Sequence, residues 1–457
     1  MGEAGTRKRR SCGWLALWLA GVCVVCAGLP CGIGWTILQA KYGIHAREGW
    51  IDSERQKLPA EVTLAPPAVN AYDTYRQAAA LLSEPSDPFL VAPRWWDTAP
   101  RPRGQMGYTP PRSIVAMVRR NAPALAKLHE AADQEYVRPP RSEPFDISVL
   151  SEQRHLSGLA LAAACVAHGQ GNDTRALGYV EDAYALALDM PRGGAEMESG
   201  LGSSRIWATG ECSRRVLLWG DAPPNALRAH AARMRELGGR MWPLSNTITR
   251  SAQEDLGLLG EAGPEGALSG LEPMTGGGRE PEALATLRAL AMRPNWEAEF
   301  TWYEDRMARL AEAADKPFGN ASFDDLMART GSDLDARNDP ALWGLCGLYS
   351  HVRDFWLRGR GLMIADEAIA CLCAYRLEHG AYPPSLAELV PDYMPETPQD
   401  PWTGDPMIHR LLPDGSFVLY AAGANKVDDG GRRRTGLEDE AFDEVYVPLR
   451  AVSPAGP

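Results

Sequence analysis

Residues 361–380 read GLMIADEAIACLCAYRLEHG, residues 381–407 read AYPPSLAELVPDYMPETPQDPWTGDPM, and residues 408–431 read IHRLLPDGSFVLYAAGANKVDDGG. In the first segment Ile364, Ala368, Cys371 and Tyr375 are spaced four, three and four apart, which places them on one helix face. Asp366 and Glu367 flank that face on its polar side. Gly380 supplies a left-handed residue to end the helix, and Pro383 and Pro384 forbid its continuation. Ser385 and Glu388 form a capping box for a short helix that Pro391 stops. A proline-stiffened loop follows. Met407–Leu411 and Phe417–Ala421 read as strands around the turn Pro413-Asp414-Gly415-Ser416, and Glu444–Leu449 as a last strand.

Upstream of this stretch the pattern is helical. Asn70–Leu82 places Tyr72, Tyr75, Ala79 and Leu82 on one side, and Ser113–Glu135 reads as a second helix. Ser151–Met190 is the clearest helical pair, turning at Gly169–Asp173 with Asp173 as the expected N-cap. Its small residues suit close helix contact, as in one tetratricopeptide-type hairpin, but no 34-residue repeat follows. Ser204–Leu218, Asn225–Leu237, Ile248–Leu259 and Trp296–Ala314 continue the series. The Pro- and Arg-rich run at 84–112, holding Trp95 and Trp96, and a Gly/Pro/Glu-rich run near 260–283 read as long loops.

The N-terminus differs. Arg7, Lys8, Arg9 and Arg10 precede residues 11–40, which carry no charge. As a helix those residues would reach about 45 Å, beyond a hydrocarbon core of about 30 Å. Trp14, Trp18 and Trp35 lie near its ends, and the basic cluster predicts a cytoplasmic N-terminus. A cleaved signal peptide is the rival reading, but the apolar run is long for one.

The expected fold class is therefore mainly α: an N-terminal transmembrane helix, a helical (αα-hairpin) domain, and a small C-terminal α+β domain with an antiparallel sheet. The expected boundaries are 1–42 for the basic N-terminus and anchor, 43–341 for the helical domain, and 342–457 for the long helix with its module. A 457-residue chain with 45% hydrophobic and 23% charged residues has ample material for such cores. Its net charge of -12 excludes nucleic-acid binding through a general basic surface. The 9 cysteines show neither a disulfide framework nor zinc-ligand spacing and read as small buried residues. There is no GxSxG, HExxH, P-loop or GxGxxG signature, so no catalytic residue is assigned.

The order and residue types of the C-terminal stretch resemble the major pseudopilins of type II secretion and pseudopilin-like modules of bacterial envelope proteins. The matching residues are AYRLEHGAYP at 374–383, then Leu386, Leu389 and Val390, then Asp400-Pro401-Trp402-Thr403-Gly404, then FVLYAAGANKVDDGG at 417–431. The resemblance covers under a fifth of the chain. It implies a calcium ion in the loop after the second strand, with Asn425, Asp428 and Asp429 and, across the loop, Asp443 as oxygen ligands. Asn425 stands where that family usually has Asp, and Arg432–Arg434 add three positive charges. The family's N-terminal processing signal is absent, and residues 43–341 intervene between membrane and module. The module is therefore read as reused on an anchored protein.

The expected function is a single-pass, membrane-anchored extracytoplasmic protein with a structural or protein-interaction role. Its expected partners are the membrane, through residues 11–40, and a protein in the cell envelope. The alternatives are a secretion-system component, or an enzyme, for example a glycan-active one, whose site is dispersed in the helical domain near Trp95 and Trp96.

Overall fold

A computed structural model describes residues 65, 67–83, 110–139, 148–254, 296–315, 321–337, 348–433 and 443–447. The expected anchor at 11–40, the loop with Trp95 and Trp96, and the run near 260–283 lie outside them. Among the described residues no helix is long and apolar enough to cross a membrane.

The chain is mainly helical with a small antiparallel sheet. Its helices are α1 (Ala71–Ala80), α2 (Arg112–Arg120), α3 (Ala122–Ala132), α4 (Ser148–Gly169), α5 (Asp173–Asp189), α6 (Glu196–Trp219), α7 (Pro224–Gly239), α8 (244–254), α9 (Trp296–Ala314), α10 (Ala321–Arg337) and α11 (Leu348–His379). Strands β1 (Ile408–Leu411), β2 (Phe417–Ala421) and β3 (Glu444–Val447) follow, in the spatial order β1-β2-β3.

Two compact units are present. One comprises 1–59, 252–306 and 331–345. In it Arg306 pairs with Asp333 and lies over the Trp302 ring, 5.2 Å from its centroid. The other comprises 60–251, 307–330 and 346–457.

Its helices pack as successive hairpins, α4 on α5, α5 on α6, and α6 and α7 on α11. The α4–α5 turn uses Gly171 at φ 73°, a conformation glycine adopts without strain. The N-cap is Asn172, whose side chain accepts from Arg175 N at 3.1 Å, one residue before the expected Asp173. Asp173 is drawn away: it accepts from Asp221 N at 2.6 Å and lies 2.5 Å from His168 Nδ1. The expected single helix over 113–135 is instead two, α2 and α3. Pro123 sits in the first turn of α3, where its missing N–H costs nothing, and would have broken a continuous helix. Asn121 fills the break, donating to Met117 O at 3.0 Å and accepting from Ser83 N at 2.8 Å.

α11 carries 32 residues, about 48 Å at 1.5 Å each. Residues 368–374 are buried without interruption, so this helix has no polar side there. Asp366, expected with Glu367 on the polar side of that face, is fully buried, and Glu367 is half-buried and held by Arg235 at 2.6 Å. The reason is that α6, α7 and the sheet all pack on α11. Gly380 ends it at φ 84°, with its N–H on Arg376 O at 2.8 Å, as expected. Ser385 caps the next turn, accepting from Ala387 N at 3.1 Å. That turn is a 3₁₀ helix, Leu386–Leu389, and Glu388 accepts from Tyr375 OH at 3.2 Å instead of closing a capping box.

In the sheet, Ile408 pairs with Tyr420 and Leu411 with Phe417, and β2 is buried on both faces. Asp400 ties the preceding loop to it: Oδ1 accepts from Trp402 N and Oδ2 from Ala422 N, each at 2.7 Å. Tyr382, Leu386, Leu389, Trp402 and Phe417 of the module share one apolar core with α4–α7 and α11. Cys165, Cys212, Cys371 and Cys373 are free and buried, and burial pushes the Cys371 thiol up to about 12. These four are packing residues, as the sequence suggests.

Candidate functional site

The loop after β2 brings Asn425, Asp428, Asp429 and Asp443 together, but their oxygens already have donors. Asp443 accepts from Asp429 N at 3.1 Å on Oδ1, and from Gly431 N at 2.7 Å and Arg432 N at 3.1 Å on Oδ2. Gly430 and Gly431 make this possible, at φ 81° and 82°. Asp428 accepts from Tyr420 OH and Gly430 N at 2.9 Å each on Oδ1, and from Arg410 at 2.7 Å on Oδ2. Burial acts against the Asp428 carboxylate, but the Gly430 N–H, the Tyr420 hydroxyl and Arg410 outweigh it and hold its pKa below the usual value. For Asp443 burial dominates its three backbone donors and the pKa is raised. Asn425 donates to Asp429 Oδ2 at 2.7 Å. Among the described residues no group of three or more His, Cys, Asp or Glu side chains is placed to hold a metal ion. What this geometry does is organise backbone: two carboxylates fold the loop by accepting its N–H groups.

A second constellation lies where α5, α6 and α11 meet. Tyr184 of α5 donates to Asp366 of α11 in a short hydrogen bond. Arg214 of α6 lies close by, paired with Glu211 at 2.5 Å. A methyl group built on Gly210 would lie 3.0 Å from Arg214 Nη1 and 3.1 Å from Tyr184 OH, which fixes how near these atoms are to each other. Tyr184, Asp366, Ser213 and Arg214 are all buried. Burial raises the Asp366 pKa, against the pull of Arg214 and of the Tyr184 hydrogen bond. Burial also opposes the Arg214 charge, but Glu211 and Asp366 restore it and raise its pKa. Among the described residues Arg214 Nη1 is enclosed without a hydrogen-bond partner, while the Ser213 hydroxyl helps to hold the Asp366 charge. An enclosed polar atom left without a partner costs about 1–3 kcal/mol. The cluster is charged, enclosed and specific in geometry, and it bolts three helices together at one height.

Other acid–base pairs sit between helices. His129 Nδ1 lies 2.9 Å from Asp182 Oδ1, and His230 Nδ1 lies 2.7 Å from Glu181 Oε1. Burial pushes the Asp182 carboxyl up to about 6, while its hydrogen bond raises His129. Asp189 is fully enclosed, accepting from Tyr75 OH at 2.9 Å and from Arg240 at 3.2 Å. In the sequence these histidines and acids are scattered, with no spacing rule to join them, because each pair spans two helices. Tyr184 and Asp366, 182 residues apart, carry no sequence signal of contact.

No protein-family model, no curated protein and no solved structure matches this chain.

Proposed function

We propose that this chain is a membrane-anchored extracytoplasmic protein whose folded part is a rigid platform for a protein partner. One surface observation carries the reading. Trp207 of α6 is 56% exposed and Phe355 of α11 is 45% exposed. They flank the point where the two helices touch, since Gly359 packs on Ile206, a methyl built on it lying 3.5 Å from Ile206 Cδ1. Large aromatics held open on a locked helix pair are the side chains that anchor protein interfaces. The anchor half of the reading is supported by the basic cluster Arg7–Arg10 and the uncharged residues 11–40.

The secretion-system variant of this reading is supported by the order of the module: long helix, capped turn, proline-rich loop, antiparallel sheet. Calcium belongs to that variant. It is supported by the convergence of Asn425, Asp428, Asp429 and Asp443 on one loop, and it requires the ion to displace donors from Asp428 and Asp443.

The test uses the full chain in intact cells, with a photoreactive residue in place of Trp207 or Phe355. We expect an adduct with one protein from these positions and none from Lys127, which is solvated on α3. We also expect an impermeant protease to digest residues beyond 43 from the outside. Equal labelling from residue 127, or protection from that protease, would overturn the reading.

A further inference from the structure

The loop after β2 is built on one arginine of the neighbouring strand. In the β1–β2 register Arg410 stands opposite Val418, which makes Tyr420 its diagonal neighbour on the same face of the sheet. The Arg410 guanidinium lies over the Tyr420 ring, 5.4 Å from its centroid. Both side chains then reach the same carboxylate. Tyr420 donates to Asp428 Oδ1 at 2.9 Å, and Arg410 donates to Asp428 Oδ2 at 2.7 Å. Gly431, at φ 82°, brings the far end of the loop back to that ring, where a methyl built on it would lie 3.3 Å from Tyr420 Cε1. The loop is thus wrapped around a stacked Arg–Tyr pair, and Asp428 is the acid that both hold.

A calcium ion takes about six to eight oxygens with their lone pairs turned towards it. Here those lone pairs are spent on hydrogens. Asp428 Oδ1 accepts from Tyr420 OH and Gly430 N, and Asp443 Oδ2 accepts from Gly431 N and Arg432 N, which uses both lone pairs of each atom. Asp428 Oδ2, Asp443 Oδ1, Asp429 Oδ2 and Asn425 Oδ1 each accept as well, the last from Val427 N at 3.1 Å. Charge counts the same way. Asp428, Asp429 and Asp443 supply three negative charges, and Arg410, Lys426, Arg432 and Arg433 supply four positive ones. Lys426 is already spent on an acid of another element, Asp324 of α10, at 2.7 Å. As they stand, these residues do not fit a divalent ion.

We propose that Arg410 is the built-in cation of this loop: its guanidinium neutralises Asp428 where a bound metal otherwise would, and the loop folds without calcium. A guanidinium suits the task because its planar fork stacks on Tyr420 while it donates to the carboxylate. Asp443, which meets only backbone N–H groups, closes the other side of the loop. This proposal stands against the calcium of the secretion-system variant and is independent of the platform reading, which rests on Trp207 and Phe355.

The experiment uses the full-length chain in excess EGTA, in about 5 mM calcium and in about 5 mM magnesium, at matched ionic strength. Two quantities are read: the melting temperature, and amide hydrogen exchange over residues 425–432. Wild type is expected to give the same melting temperature and the same loop protection in all three. In EGTA, Arg410→Gln should exchange the loop amides about three- to fivefold faster, the range an exposed ion pair commonly allows. Arg410→Lys keeps the charge without the stacked fork and should fall between the two. A saturable rise in wild-type melting temperature with calcium and not with magnesium would overturn the proposal and favour the secretion-system variant. Loop exchange in Arg410→Gln equal to wild type would overturn it too, since another group would then be holding Asp428. The Arg410 side chain is about half exposed, at 49%, so both variants keep the fold in which the loop is read.

Discussion

The helical layer and the C-terminal module bury acids in opposite ways. In the helical layer the backbone N–H groups are consumed within helices, so a buried carboxylate must find side-chain donors. Asp189 takes Tyr75 and Arg240, and Asp366 takes Tyr184 beside Arg214. In the module the chain turns often, and free N–H groups are plentiful. There Asp400 takes the N–H groups of Trp402 and Ala422, and Asp443 takes those of Asp429, Gly431 and Arg432. One region uses acids to join helices distant in sequence, and the other uses them to fold loops. Equal burial of an acid therefore does not mean equal consequence when it is lost.

The largest contrast is expected from truncating one acid of each kind. Asp189→Ala leaves the buried Tyr75 hydroxyl and the half-buried Arg240, which keeps only its bond to Ala132 O, without their acceptor and should cost about 3–5 kcal/mol. Asp443→Ala frees three N–H groups in a loop that borders water and should cost about 1–2 kcal/mol. Urea denaturation of the two variants measures both. Equal losses would break the comparison.

The joint between the regions comes next. Gly361 of α11 faces Tyr446 of β3, and a methyl there would run into the Tyr446 hydroxyl. Gly361→Ala should cost about 1–3 kcal/mol by overpacking. The Tyr446 hydroxyl is enclosed without a hydrogen-bond partner among the described residues, so Tyr446→Phe removes the obstacle at little cost. The double variant should recover most of the loss in thermal melts. Additive effects of the two substitutions would show that the strain lies elsewhere.

The smallest effect is in pH, and its sign differs between the regions. Asp182 in the helical layer has its folded pKa raised to about 6, above the ordinary 3.8. Its contribution is present below about pH 4 and is lost as pH rises to 6. His409 in the module is half-buried, its ring nitrogens are enclosed without partners among the described residues, and burial lowers its pKa below 6.5. Its contribution is present above pH 6.5 and is lost as pH falls through the lowered value. Asp182→Asn should flatten the first trend, by on the order of 1–2 kcal/mol once the exposed His129 partner is discounted. His409→Phe should flatten the second. Melting curves from pH 4 to 8 that parallel wild type in both variants would refute this assignment.

The module was legible because its signals are local. Gly380, Ser385, the proline-rich loop and the Pro413–Ser416 turn each act within a few residues, and the helix end, the capped turn and the first two strands follow from them. Glu388 was misread because Tyr375, thirteen residues earlier, competes for its carboxylate. Asp366 was misread for a larger reason. A helix wheel shows which residues share a side, but not how many neighbours will enclose the helix, and α6, α7 and the sheet pack on α11, which is enclosed at Asp366 and from Ala368 to Ala374. The Tyr184–Asp366 bond and the acid–histidine pairs cross between helices, where spacing along the chain carries no information.

The enclosed run of α11 also limits how this protein can be rearranged by descent or by engineering. A single inserted residue between Gly361 and Ala374 would turn everything beyond it by about 100° and advance it by about 1.5 Å. Asp366 would miss Tyr184, or the sheet would miss the helical layer, depending on which side held its place. Only insertions near seven residues, about two full turns, keep both in phase. The module is thus not a detachable cassette: a graft onto another helix must match rotational phase as well as sequence, and the two regions are expected to change length together or not at all.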